Sequence, residues 1–301
     1  MDGVLNVYKP TGPTSHDVVN KVRRTFGQKK VGHAGTLDPL ATGVLVVCLG
    51  KATRIVECLM CTTKQYRARM VLGQVTSTQD CTGEVISECD ASHITESDVI
   101  EAAAAFVGDI MQMPPMMSAL KHNGTPLYKL AREGKTIERA LRPVTIHSIE
   151  VISIQPGEHP EAELLVSCSS GTYIRTLCHD IGEKLSCGAQ MSMLERVRVG
   201  HFGVDSAYSL EDIETAREDG RLENILISIA DALGDYPAAI IEPDDLHNAL
   251  HGLPVRVSRL DREYELVRML TPDGMLIGLG NSQMIESETL VKPCKVFAEV
   301  N

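Results

Sequence analysis

The stretch Gly32-His33-Ala34-Gly35-Thr36-Leu37-Asp38-Pro39-Leu40-Ala41-Thr42-Gly43 puts three glycines, one histidine and one carboxylate into a single loop. Residues 44–49 (Val-Leu-Val-Val-Cys-Leu) follow as an unbroken apolar run, the pattern of a buried strand. Glycine allows backbone conformations and close approaches that a Cβ resists, and Pro39 fixes φ and removes an amide donor. The loop therefore has a defined shape, and Asp38 is its only acid.

The 301 residues are enough for one large domain, or for a large and a small one. Met1-Asp2-Gly3-Val4 has no basic-then-apolar leader, and no apolar run approaches the length that spans a bilayer. A cytoplasmic protein is expected. The nine cysteines are odd in number and scattered, and Cys58-x-x-Cys61 has no second Cys or His pair at zinc spacing. Reduced, mostly buried thiols are expected, with no metal.

Charge is distributed unevenly. Residues 1–75 hold eleven Lys or Arg against four Asp or Glu, while residues 205–301 hold eight against nineteen, the same −11 as the whole chain. The basic N-terminal part could meet phosphates, though on charge alone an ordinary solvated surface is the favoured reading.

Along the chain, residues 3–8 read as a strand that stops at Lys9-Pro10-Thr11-Gly12-Pro13. Ser15 is the expected cap of a helix with Val18, Val19, Val22 and Phe26 on one face, closed by Gly27. Tyr66, Ala68, Met70 and Leu72 alternate with Arg67, Arg69 and Val71, the period of a half-buried strand, which places Tyr66 near Asp38. A polar loop over 76–83 joins that strand to another over 84–89. Thr95 and Asp98 form a capping box for a helix with Val99, Ile100, Ala103 and Phe106, ending at Gly108. Residues 111–117, rich in Met and Pro, read as a rigid loop, and 145–154 with 163–169 as a hairpin.

Gly171 opens a helix whose first turn holds Tyr173 and Arg175, where free amides and the helix dipole favour anions. Residues 191–199 form a further strand, and Ser209 caps a charged helix. From Pro237 the texture changes to short β-like pieces (255–257, 265–269, 275–279, 296–298) between Pro, Gly and Asp turns. A domain boundary is placed there.

Taken alone, Asp38 suits a nucleophile, a general base or a simple Asx turn. Arg175 is its candidate partner. His33 has no carboxylate and hydroxyl in series with it, so a Ser-His-Asp reading has no support. A P-loop, a Rossmann glycine fingerprint and a metal-binding histidine pair are all missing from the sequence, which removes the usual signatures of nucleotide hydrolysis and hydride transfer.

Several stretches together resemble one family, the TruB-type tRNA pseudouridine synthases. They are Lys9-Pro10-x-Gly12-x-Thr14-Ser15, Gly32-His33-x-Gly35-Thr36-Leu37-Asp38-Pro39-x-Ala41-x-Gly43, Lys64-x-Tyr66, Met117-Ser118-Ala119-Leu120-Lys121 and Gly171-Thr172-Tyr173-Ile174-Arg175-Thr176, in that order. The resemblance implies an α+β fold: a mixed catalytic domain on a bent, largely antiparallel sheet over 1–236, and a small β-rich, PUA-like RNA-binding domain over 237–301. The acidity of the second part departs from a simple RNA-binding expectation.

The resemblance further implies that Asp38 is the nucleophile attacking a uridine at C6 of the base or at C1′ of the ribose, two routes the sequence leaves open. Tyr66 would stack on the flipped uracil and take part in the later proton removal, and Arg175 would pair with Asp38. Tyr173 and Leu194 would line the base pocket. His33 would contact RNA, and Lys9, Lys21, Arg23, Lys29 and Lys30 would meet phosphates. The implied substrate is uridine 55 in the T-arm of tRNA, acted on by a cytoplasmic monomer with no cofactor, metal, membrane or protein partner. The alternatives are a guide-RNA-dependent relative and a non-catalytic tRNA-folding chaperone.

Overall fold

The computed structural model describes residues 1–257, 260–285 and 288–297. Nine strands make the main sheet: β1 (Gly3–Lys9), β2 (Val31–His33), β3 (Thr42–Leu49), β4 (Lys64–Leu72), β5 (Gly108–Gln112), β6 (Arg142–Gln155), β7 (Glu161–Cys168), β8 (Ala189–Val199) and β9 (Phe202–Gly203). Their order is β1-β3-β8-β4-β7-β6-β5, with β2 beside β3 and β9 beside β8. All pairings are antiparallel except β8 with β3, which run parallel through Glu195↔Thr42 and Arg196↔Gly43. Register shifts in β8 against β4, at Met191/Met193 and Arg196/Arg198, bend the sheet where the site lies.

Helices α1 (Ser15–Thr25), α2 (Glu96–Ala104), α3 (Ile174–Lys184) and α4 (Leu210–Glu218) cover the sheet. Tyr66, Ala68, Met70 and Leu72 pack into one core with Ile174, Leu177 and Ile181 of α3, as their alternation on β4 requires. Val18, Val19, Val22 and Phe26 of α1 meet Leu5, Val7, Leu45 and Val47 in a second core.

Five further strands form a separate sheet: β10 (Ala238–Ile240), β11 (Val255–Val257), β12 (Val267–Leu270), β13 (Leu276–Ile285) and β14 (Glu288–Val296), ordered β10-β12-β13-β14-β11. This sheet has its own core around Val267, Met269, Ile277 and Val291. It docks on the larger part through Leu279 and Phe297, and Arg54 stacks 4.9 Å from the Phe297 ring centre. Ala298, at the end of the last β-like piece, lies outside the described residues.

Three local expectations are corrected. Thr14, not Ser15, caps α1, sharing a capping box with Asp17; the Ser15 hydroxyl is drawn away by the main chain of Leu37, accepting from its amide at 2.8 Å and donating to its carbonyl at 3.1 Å. Met111 and Gln112 belong to β5, because pairing with Arg142 and Pro143 overrides a loop-like composition. Helix α2 stops at Ala104, Gly108 starts β5 instead of closing the helix, and Ile100 is 49% exposed, off the buried face.

Candidate active site

Asp38 lies in the loop between β2 and β3, and the Lys9–Ser15 segment wraps around that loop. Lys9, fully buried, donates to the carbonyls of Pro10 (3.0 Å), Pro39 (3.3 Å) and Ala41 (2.7 Å). The Gly12 amide donates to Pro39 O at 2.9 Å. This corrects the reading of Lys9 as a phosphate contact: with no surface exposed and its ammonium spent on carbonyls, it holds the loop instead.

A cavity of about 320 Å³ opens beside Asp38, within the ~300–1,000 Å³ of ligand clefts. Tyr66, Tyr173, Arg175, Leu194 and Arg196 line it with Asp38. Thus the tertiary structure brings together five of the seven sequence-predicted residues. Lys9 lies beneath the loop, and His33, paired with Val47 at the end of β2, is outside the lining.

Arg175 joins two acids. Its Nη2 donates to Asp38 Oδ2 and to Met117 O (3.1 Å), and its Nη1 donates to Asp80 Oδ2 at 3.1 Å. The Asp38 side chain keeps 40% of its surface, open to the cavity, against 5% for Arg175 and 7% for Asp80. Asp80 Oδ1 accepts from Thr78 Oγ1 (2.8 Å), the Thr82 amide (3.0 Å) and Thr82 Oγ1, so that acid is fixed while Asp38 faces the cavity. Gln112 prepares the start of α3 by accepting from the Tyr173 amide at 2.8 Å and donating to its carbonyl at 3.0 Å.

Burial pushes the Asp38 carboxyl above its ordinary range; Arg175 pulls it down, and the nearby Asp80 charge pushes it up again. The Tyr66 and Tyr173 phenols are raised by burial. Lys9 and Lys64 are both pushed down to about 8 by burial. His33 is lowered by burial and by the Arg196 charge.

Sequence reasoning missed Asp80, Gln112, Lys64 and Arg196 as parts of this site. Arg196 carried a readable signal, since it shares a strand face with Leu194. Asp80 and Gln112 carried none, because each sits in a polar or loop-like stretch and acquires its partner only through the fold.

A family model described as "TruB family pseudouridylate synthase (N terminal domain)" matches residues 23–174, and "tRNA pseudouridylate synthase B C-terminal domain" matches 175–245. The chain belongs to the TruB family. Its TruB relatives include the tRNA pseudouridine synthase B of Syntrophotalea carbinolica, 49% identical over 254 residues that cover 84% of this chain and 82% of that one. The tRNA pseudouridine synthase B of Pelotomaculum thermopropionicum is 43% identical, covering 99% and 98%. Among solved structures, a Cbf5-Nop10-Gar1 complex contains a chain 31% identical, with a TM-score of 0.77, covering 98% of this chain and 85% of that chain. The α+β fold of this TruB member is accordingly that of a pseudouridine synthase with a PUA-like β sheet. Among the described residues no helix is long and apolar enough to cross a membrane.

Proposed function

We propose that this chain is a stand-alone tRNA pseudouridine synthase that converts uridine 55 of the T-loop, with Asp38 as the nucleophile. The observation that carries the reading is one carboxylate, held by a buried arginine, at the wall of a nucleoside-sized cavity that also holds Tyr66, Tyr173 and Leu194. The reaction breaks the bond between C1′ and N1, turns the uracil, and forms a bond from C1′ to C5. The C5 proton is lost to solvent and N1 gains a proton, so the atoms balance and the isomerisation calls for no redox partner and no group donor.

Ionised Asp38 attacks C6 of the uracil or C1′ of the ribose, and leaves again when the new bond has formed. Arg175 keeps the carboxylate ionised against the effect of burial and aims it. Tyr66 stacks on the base and Leu194 lines its pocket; the base is flipped out of the stacked loop because its reacting atoms are otherwise inaccessible. Tyr66 is the candidate for removing the C5 proton, and Tyr173 lines the cavity wall.

Lys29 and Lys30, both exposed, are the favoured phosphate contacts, with His33 at the RNA surface. Lys21 pairs with Glu214 at 2.8 Å and Arg23 donates to the Asn20 side chain and the carbonyls of Lys29 and Val31, so both are less free for RNA. We place the boundary between the catalytic and PUA-like domains at 236/237, where β10 begins a sheet with its own core. A cytoplasmic monomer acting on the T-arm completes the reading.

Tritium release from tRNA carrying 5-tritiated uridine tests it. Purified wild-type protein should release label from a bare transcript and Asp38→Asn should not. Equal release by both removes Asp38 from the chemistry; release only with an added guide RNA favours the guide-dependent reading; and none from either points to a binding protein.

A further inference from the structure

The loop that carries Asp38 is gripped by a residue to which the chemistry above gives no role. Arg196 is 1% exposed; its side chain donates to three main-chain carbonyls and also meets the Tyr66 phenol, and among the described residues no carboxylate pairs with it. Its Nε donates to Val44 O at 2.8 Å, its Nη2 to Gly35 O at 3.1 Å and its Nη1 to Thr36 O at 3.4 Å. A buried cation satisfied by dipoles and not by a counter-ion lowers stability relative to an apolar residue of similar size. That cost points to a use beyond packing.

The glycines of the loop fit the same residue. Gly35 has φ +108°, and a Cβ there would lie 3.4 Å from Arg196 Nη1. Gly43 has φ +98°, and a Cβ there would lie 2.3 Å from the Arg196 carbonyl oxygen. The main chain of Arg196 faces Gly43 in the parallel pairing of β8 with β3, and faces Tyr66 in the antiparallel pairing with β4. Arg196 therefore holds the loop at both ends: by its side chain at residues 35 and 36, and by its main chain at 43. Asp38 sits between the two grips.

We infer that Arg196 is a positioning residue, a clamp that sets the reach of the Asp38 carboxylate into the cavity next to Tyr66. The inference rests on the reading of Asp38 as the nucleophile. Misplacing a reacting group by about 1 Å costs on the order of 100-fold in rate. Lysine keeps the charge but lacks the planar fork that spans three carbonyls.

The test compares single-turnover rates and RNA dissociation constants on a T-arm stem-loop for wild type, Arg196→Lys, Gly35→Ala and Asp38→Asn. Arg196→Lys should slow turnover about 100-fold while leaving the dissociation constant within about threefold. A rate within about threefold of wild type overturns the clamp, and so does a loss that appears equally in binding, which would make Arg196 an RNA contact. If thermal melting shows that Arg196→Lys does not fold, Gly35→Ala carries the same test, because a side chain at φ +108° strains the loop where Arg196 grips it and leaves the charge in place. Asp38→Asn separates the two readings. If it turns over at the wild-type rate the nucleophile assignment falls; if it is inactive while Arg196→Lys is fast, only the clamp falls.

Discussion

On the outer face of β4, Arg67 lies 3.4 Å from Glu163 and 3.5 Å from Glu195, and Arg69 reaches Glu161 at 3.7 Å and Glu163 at 3.8 Å. On the inner face of the same strand, Lys64 is 5% exposed and, among the described residues, donates to the carbonyls of Met60 and Thr62, both at 2.6 Å. Arg196 sits opposite Tyr66, with main-chain carbonyls and the Tyr66 phenol for partners. The outer charges are half-exposed and matched by carboxylates, an arrangement worth little in either direction. The inner cations are buried without carboxylates, an arrangement that costs stability and fixes backbone. Two faces of one strand thus separate charge that keeps the sheet soluble from charge that builds a site.

That contrast breaks most sharply at Asp38. Replacing it with Asn should lower tritium release by about four orders of magnitude if, as proposed, it is the nucleophile acting in the reaction itself. Melting temperature should stay near that of wild type.

Arg175 comes next. Arg175→Met should cost about 10²–10³ in kcat, the scale of removing a preorganised charge. It also changes pH dependence in a defined direction. As the proposed nucleophile Asp38 acts in its ionised form, so activity should fall as pH drops through its pKa, which burial already raises. Removing the cation raises that pKa further and moves the acid limb of the kcat profile to higher pH. Asp80→Asn removes a neighbouring negative charge and should move the same limb to lower pH. Shifts of the same sign in both variants would contradict the three-residue arrangement.

Smaller effects are expected at the lysines. Lys9→Met leaves buried carbonyls unpaired and should destabilise the fold by about 1–3 kcal/mol in chemical denaturation, without changing the salt slope of tRNA binding. Lys29→Gln with Lys30→Gln should do the reverse, flattening the slope of log K against log salt by about 0.7 for each phosphate no longer neutralised and leaving stability alone. The smallest effect belongs to the outer face: Arg69→Ala should cost less than about 1 kcal/mol and leave turnover unchanged.

Much of the fold was legible because its signals are local. Alternation over 66–72 gave β4, the capping box at Thr95 and the cap Ser209 gave α2 and α4, and the composition change at Pro237 gave the second sheet. Ser15 and Lys9 were misread for one reason: each looks like a local or surface residue, and each is claimed by the loop around Asp38, more than twenty residues away. Gln112 was hidden in a Met- and Pro-rich run, since its membership of β5 depends on pairing with Arg142.

The sequence by itself set Asp38, Tyr66 and Arg175 in distinctive motifs, and it determined the family, because ordered motifs survive without knowledge of contacts. Only the tertiary structure decided how those residues cooperate. Asp80 becomes the second anchor of Arg175, Lys9 becomes a brace and not a phosphate contact, and Arg196 grips the loop at both ends. The physical reason is that burial and hydrogen-bond partnership belong to pairs of residues far apart in the chain, and pairing of that kind leaves no period or local pattern to read.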